Sequence, residues 1–457
     1  MYNKNSIKYY STNLQAPEVS FREALLKGLA PDGGLYMPVS IPSPDEDYIM
    51  SLHGIPYNEL AFRVLKILLN NELPENDLMQ ICREAYNFEV PVELVDKRKY
   101  LMRLDRGPTA SFKDFAARIM ARLMNHFLAG DALHYTILTA TSGDTGSAVA
   151  SAFHGLSNID VIILFPEGEV SGIQRKQMTT LHDNVSVIAL NGKFDDCQRL
   201  VRKAFLDPDL SGMNLSSANS INVGRLLPQA VYYFYAWAAT ADCFDDGAVF
   251  SVPSGNFGNL MGGIIARQMG LPVKKFIIST NSNNEVPEFL RSGVYKPLMP
   301  SVKCISSAMN VGHPSNLARI VALYGGMMNE SGAVLKDPDI ARMRKDMYGV
   351  SVSDEETRST IYDLYRNKGV IIEPHGAVAW KGIEDYERNS ENNQDQLFVS
   401  LETAHPAKFS DEIKSILGIE LPLPASLRDI TDKKEEYMEM EDDYNKFRSY
   451  LITSINQ

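Results

Sequence analysis

Twice in this chain an apolar run of strand length ends in a glycine-rich loop that opens at once into a helix. The first runs from His134-Tyr135-Thr136-Ile137-Leu138 into Thr141-Ser142-Gly143-Asp144-Thr145-Gly146, with Ser147 to Ala150 opening the helix. The second runs from Ala248-Val249-Phe250-Ser251-Val252 into Pro253-Ser254-Gly255-Asn256-Phe257-Gly258-Asn259. A helix over 260–269 and a strand over 275–278 follow it. Tyr100 to Leu104, Val161 to Phe165, Val185 to Leu190 and Gln396 to Leu401 read as further strands, and 195–205 and 354–368 as helices. Such alternation predicts an α/β fold of parallel twisted sheets covered by helices. Ligands of such sheets sit beyond the carboxyl ends of the strands, where both loops fall. A loop that leads into a helix offers free N–H groups and a helix dipole to an anion. Neither loop is a Walker A motif or has full dinucleotide-binding spacing, and each alone is also compatible with an ordinary tight turn.

A third stretch, Gly107-Pro108-Thr109-Ala110-Ser111-Phe112-Lys113-Asp114-Phe115, passes from a turn into an amphipathic helix. Ser111 and Asp114 predict a capping box. Phe115, Ile119, Leu123, Met124 and Phe127 recur at helical spacing, and Gly130 closes the run. Lys113 then falls in the first helical turn, where the backbone's partial positive charge disfavours an ammonium. Beside Phe112 and Phe115, it is a candidate for a lowered pKa and Schiff-base chemistry, the alternative being a plain solvated lysine.

Together with Thr403-Ala404-His405-Pro406, the lysine segment and the two loops resemble the threonine synthases, pyridoxal phosphate (PLP) enzymes of the tryptophan synthase β-type fold. Tyr9 to Thr12, Pro31 to Tyr36, Ser216 to Asn222 and Glu373 to Ala379 extend the resemblance over most of the chain to about residue 420. The resemblance implies PLP fold type II, with two α/β subdomains and an N-terminal helical unit. It implies that Lys113 carries the cofactor as a Schiff base and then serves as general base and acid. It places Gly255, Asn256, Phe257, Gly258 and Asn259 at the cofactor phosphate and Thr403 at the pyridine nitrogen, to which a hydroxyl can only donate. Ser142, Gly143, Asp144 and Thr145 would take the substrate carboxylate, and Asn222 and Arg225 its phosphate. Without the resemblance, Asn222 and Arg225 read as a structural hydrogen-bond cluster. The acid at Asp144 is unfavourable beside anions unless it is protonated or paired. His405 suits either acid/base work or a structural hydrogen bond.

The implied reaction takes O-phospho-L-homoserine and water to L-threonine and phosphate. A phospholyase releasing a 2-keto acid on the same scaffold is the alternative, and a catalytically silent PLP-binding protein a more remote one. Expected domains are 1–95, an N-terminal unit; 96–420, the catalytic body with the cofactor between its subdomains; and 421–457, an acidic helical extension with a solvated face.

Composition sets outer bounds. The 457 residues suffice for two or three domains. A net charge of −12, with no basic cluster, argues against nucleic acid or an anionic membrane as partner; a small-molecule substrate is what the resemblance implies. Met1 to Asn5 lead into no apolar signal region, and no apolar run reaches membrane-spanning length. Cys82, Cys197, Cys243 and Cys304 form no Cys-x-x-Cys pair and read as four buried free thiols of a cytoplasmic protein. The histidines show no metal-binding spacing, so no metal is expected. Oligomeric state is not legible.

Overall fold

The structure is a computed structural model, which describes residues 6–130, 133–390 and 395–455. Met1 to Asn5, read above for a leader, lie outside the described residues. Two sheets carry the molecule. The larger has six strands in the order Met347–Ser351, Val273–Thr280, Ala248–Pro253, Leu397–Glu402, Lys99–Arg103 and Val92–Asp96. Its strands pair in parallel except for the antiparallel edge pair Val92–Asp96 and Lys99–Arg103. The smaller is wholly parallel, in the order Met438–Glu441, Val185–Asn191, Ile159–Pro166, Tyr135–Ala140 and Leu215–Ser217. Central strands such as Ile159–Pro166 and Leu397–Glu402 are buried almost throughout, as sheets covered on both faces require.

The N-terminal unit contains the helices Phe21–Lys27, Tyr57–Leu69 and Glu75–Ala85 and an antiparallel strand pair, Tyr9–Ser11 with Tyr36–Pro38. The strand Val92–Asp96, which belongs to the large sheet, straddles the expected boundary at residue 95. This unit buttresses the lysine helix, Lys113–Leu128. Phe115 packs against Tyr57 and Phe88 at 5.3 Å between ring centroids and against Tyr86 at 5.9 Å, each pair contributing about 0.5–1.5 kcal/mol beyond burial. Tyr86 Oη donates to the Phe115 carbonyl at 2.8 Å. Arg319, wholly buried, ties the same unit to the catalytic body by donating to the carbonyls of Tyr36, Ser220 and Ile221.

Two expectations change. The acidic stretch after residue 430 is not a helix face. Met438–Glu441 forms an edge strand beside Val185–Asn191, and Glu435 pairs with both Nε and Nη2 of Arg175, at 2.8 and 3.0 Å. Helix appears afterwards, at Tyr444–Ile455. Exposed Glu439 and Glu441 on that edge oppose pairing with a further strand. Of the cysteines, Cys82, Cys197 and Cys304 are buried free thiols, but Cys243 is exposed.

Glu285 opens the helix Glu285–Ser292, is 5% exposed, and its Oε2 has no hydrogen-bond partner among the described residues. Burial pushes its carboxyl up to about 7. Because the folded-state pKa is raised, the stability this group contributes is present below about pH 4.5 and is lost as pH rises through about 7. Glu285→Gln, a permanent mimic of the protonated acid, is expected to stabilise the fold at about pH 8 by on the order of 2–3 kcal/mol. Thermal melts of both proteins should differ there and converge near about pH 5.

Candidate active site

Lys113 is the first residue of its helix, but the expected capping box does not form. Phe112 holds the N-cap position without a side-chain hydrogen bond. Asp114 turns back instead, accepting from the Thr109 amide at 2.9 Å and the Thr109 hydroxyl at 2.7 Å. Ser111 is taken by a bridge to Ala404. Competition from backbone pairing explains the difference. The Phe112 N–H donates to the Thr403 carbonyl at 2.8 Å and the His405 N–H to the Ala110 carbonyl at 3.0 Å. The lysine loop is thereby zipped to the turn that follows the strand Leu397–Glu402.

The Lys113 ammonium lies 4.7 Å from the Phe112 ring centroid and 3.6 Å from Asp144 Oδ2. Burial chiefly pulls its pKa down; Asp144 opposes this, and the charges of Lys408 and Arg225 add to it. Desolvation is the largest of these causes, in keeping with the apolar setting that Phe112 and Phe115 suggest.

Asp144 opens the helix Asp144–Phe153 behind the first glycine loop, where a carboxylate suits the dipole. Its Oδ1 accepts from Lys408 Nζ at 2.6 Å and Gln174 Nε2 at 2.8 Å. Burial works against the charge, but Lys408 and then Lys113 outweigh it and hold the carboxyl well below the usual carboxylate range. The acid is therefore paired. Gly143 must be glycine: its φ is +131°, and a Cβ there would stand 2.6 Å from Gln174. Ser142 and Thr145 are half-buried at the same strand end.

The second loop turns at Phe257, buried and at φ +61°, before the helix Gly258–Gln268. Asn259 fixes the turn by donating to the Pro253 carbonyl at 2.7 Å. Asn256 receives, on its carbonyl, the Asn316 side-chain amide at 3.0 Å. At Gly255 a Cβ would lie 2.7 Å from the Ala308 carbonyl oxygen, so only glycine lets these backbones approach.

Thr403 follows the strand Leu397–Glu402 and is 5% exposed. The sequence reading has this hydroxyl donating to the ring nitrogen; here Oγ1 donates instead to Glu373 Oε1 at 3.3 Å. Glu373 caps the helix Pro374–Asn389, accepting from the amides of His375 and Gly376 and, through Oε2, from His375 Nδ1 at 2.5 Å. His375 Nε2 accepts the Ala308 amide at 3.1 Å. One chain of hydrogen bonds thus joins Thr403 to the segment packed on Gly255.

Arg225 and Asn222 part company. Arg225 is buried; Nη1 donates to the Ala218 carbonyl at 2.8 Å, and Nε has no partner among the described residues. Burial lowers its pKa to about 10. Asn222, by contrast, spends both amide hydrogens on the carbonyls of Leu25 and Ser217, at 2.8 and 2.9 Å, and its Oδ1 accepts from the Gly224 amide. Both of its amide hydrogens are thus engaged within the fold. His405 Nδ1 accepts the Ala407 amide at 3.1 Å, and burial with nearby Arg106 and Arg103 lowers its pKa to about 4.

Sequence reasoning missed Lys408 and Gln174. The signal for Lys408 was slight: a lysine between Ala407 and Phe409, in the turn after a core strand. Gln174 carried none.

A buried amine of lowered basicity beside a helix-opening loop whose glycine admits close backbone approach suits an anionic aldehyde cofactor. The fold and this site define a PLP-dependent enzyme, and the family model "Pyridoxal-phosphate dependent enzyme" matches residues 88–403. "Threonine synthase N terminus" matches 8–86 and "Threonine synthase, C-terminal" matches 376–451. The chain is 41% identical to the threonine synthase of Haemophilus influenzae, over 97% of this chain and 99% of that protein. The crystal structure of PLP-bound threonine synthase from Brucella melitensis superposes with a TM-score of 0.89 at 36% identity, covering 98% of this chain and 99% of that one. The crystal structure of threonine synthase from Escherichia coli gives 0.88 at 37%, covering 98% and 100%. The chain belongs to the threonine synthase family, PLP-dependent lyases of threonine biosynthesis.

Proposed function

We propose that the chain converts O-phospho-L-homoserine and water to L-threonine and inorganic phosphate, in the cytoplasm. Arg225 carries this reading: a buried guanidinium near Lys113, with a free Nε, suits a phosphate dianion better than any neutral leaving group. PLP, when bound, supplies the electron sink that acidifies the Cα and Cβ protons.

The side chains do the rest. Lys113 holds the cofactor, and its amine, its basicity lowered by burial, removes and returns protons at the substrate carbons. The backbone of Gly255, Asn256, Phe257, Gly258 and Asn259 receives the cofactor phosphate at a helix start. Ser142, Gly143, Asp144 and Thr145 receive the substrate carboxylate. Arg225 draws the phosphate away from Cγ as the bond breaks, and Asn222 holds the turn that presents it. Thr403 faces the ring nitrogen with its orientation set by Glu373.

Three outcomes test this. Pure protein given O-phosphohomoserine should release threonine and phosphate in equal amounts; a 2-keto acid as main product would establish the phospholyase instead. Borohydride reduction and peptide mapping should find the cofactor on Lys113, and Lys113→Ala should lose the adduct; a label on another lysine removes the assignment. Arg225→Ala should lower kcat/KM for O-phosphohomoserine by at least about a hundredfold while PLP stays bound, as expected for loss of a buried charged contact. Unchanged kinetics would take Arg225 out of the site.

A further inference from the structure

A second lysine lies in this site and has no part in the chemistry above. The Lys408 side chain is fully buried, so it is not a surface lysine with a buried stem. Its ammonium is fixed from two sides, by Asp144 Oδ1 at 2.6 Å and by the Thr109 carbonyl at 2.9 Å. Asp144 in turn stands at the entrance of the helix that the substrate carboxylate is to approach, and 3.6 Å from Lys113.

We propose that Lys408 is a positioning residue whose ammonium takes up the charge of Asp144, so that a loop containing an acid can accept the carboxylate of an amino acid. This rests on the reading of Ser142 to Thr145 as the carboxylate loop. Remove Lys408, and among the described residues Lys113 is the one cation left within ion-pair distance of Asp144. The carboxylate would then repel an incoming anion and hold Lys113 in its protonated form. Gln174, a neutral amide at 2.8 Å, orients Asp144 but cannot cancel its charge. A second role is compatible with the same bonds: Lys408 could merely pin its turn to Thr109. The two roles separate experimentally, because a pin is not replaced by neutralising Asp144.

The test uses PLP-loaded Lys408→Met and the pair Lys408→Met/Asp144→Asn, beside the parent protein. L-Threonine binding is followed by its spectral change, and kcat and KM are measured with O-phosphohomoserine. Lys408→Met should weaken L-threonine binding and raise KM by about tenfold or more, with kcat falling less, because uniform electrostatic repulsion acts on binding. The double variant should recover most of the lost affinity. Unchanged L-threonine affinity in Lys408→Met, or an equal loss in the double variant, overturns the proposal. If Lys408→Met does not fold, the double variant decides alone: near-parental L-threonine affinity supports the proposal, and a tenfold loss overturns it. Parent protein that binds L-threonine yet ignores O-phosphohomoserine would refute the substrate reading and leave the L-threonine series to judge Lys408.

Discussion

A buried ion pair between Lys408 and Asp144 ties an element of one sheet to an element of the other. Asp144 starts a helix of the five-stranded sheet, and Lys408 belongs to the short turn after a central strand of the six-stranded one. Removing one partner of such a pair typically costs about 3–5 kcal/mol, because the survivor is stranded in a poor solvent for charge. Its hydrogen bonds extend to either side. Gln174 and Gln177, both on the helix Gly172–Thr179, reach Asp144 and the Thr109 carbonyl, the same carbonyl that Lys408 holds. The loop leading into Lys113 is therefore gripped by side chains from both sheets, and the amine's place is set by the agreement between them.

Glu373 plays the corresponding part on the other side. A single buried carboxylate caps a helix, orients Thr403 and fixes His375, which in turn holds the backbone at Ala308 against Gly255. Its own amide donates to Glu402 Oε1 at 2.8 Å. Burial and the neighbouring Glu373 push the Glu402 carboxyl well above its ordinary range, against the pull of Arg103. Glu402 Oε2 has no partner among the described residues, but the bonds that run through Glu373 narrow the geometries open to Thr403 and His375. That rigidity suits a site in which the cofactor ring and phosphate must both be seated.

Local patterns carried most of what was legible beforehand. Strands such as Val185–Asn191 and the helix Asp354–Lys368 follow from runs and periodicities that need no knowledge of distant residues. The glycine loops and the position of Lys113 at a helix start were readable for the same reason. What escaped depends on residues far apart in sequence. The capping box at Ser111 lost to a bridge with Ala404, nearly three hundred residues away. Lys408 looks like any lysine until Asp144 is beside it. The acids after residue 430 resemble a solvated helix face until Val185–Asn191 offers them an edge. Asn222 matched a family motif, yet packing against Leu25 commits its amide to the fold.

That edge strand has a consequence for how the molecule is made. Glu441 aligns with Asn191 and accepts from its side-chain amide, 250 residues earlier in the chain. The larger sheet has the same property, since Lys99–Arg103 waits for Leu397–Glu402 as its parallel neighbour. During synthesis, the early strands of both sheets must leave the ribosome with their partners still unmade. Contacts of such sequence separation form late and slowly, and open strand edges attract other chains in the interval. The polypeptide therefore completes both sheets, and with them the ion pair at Lys408, only after nearly all of it has been translated.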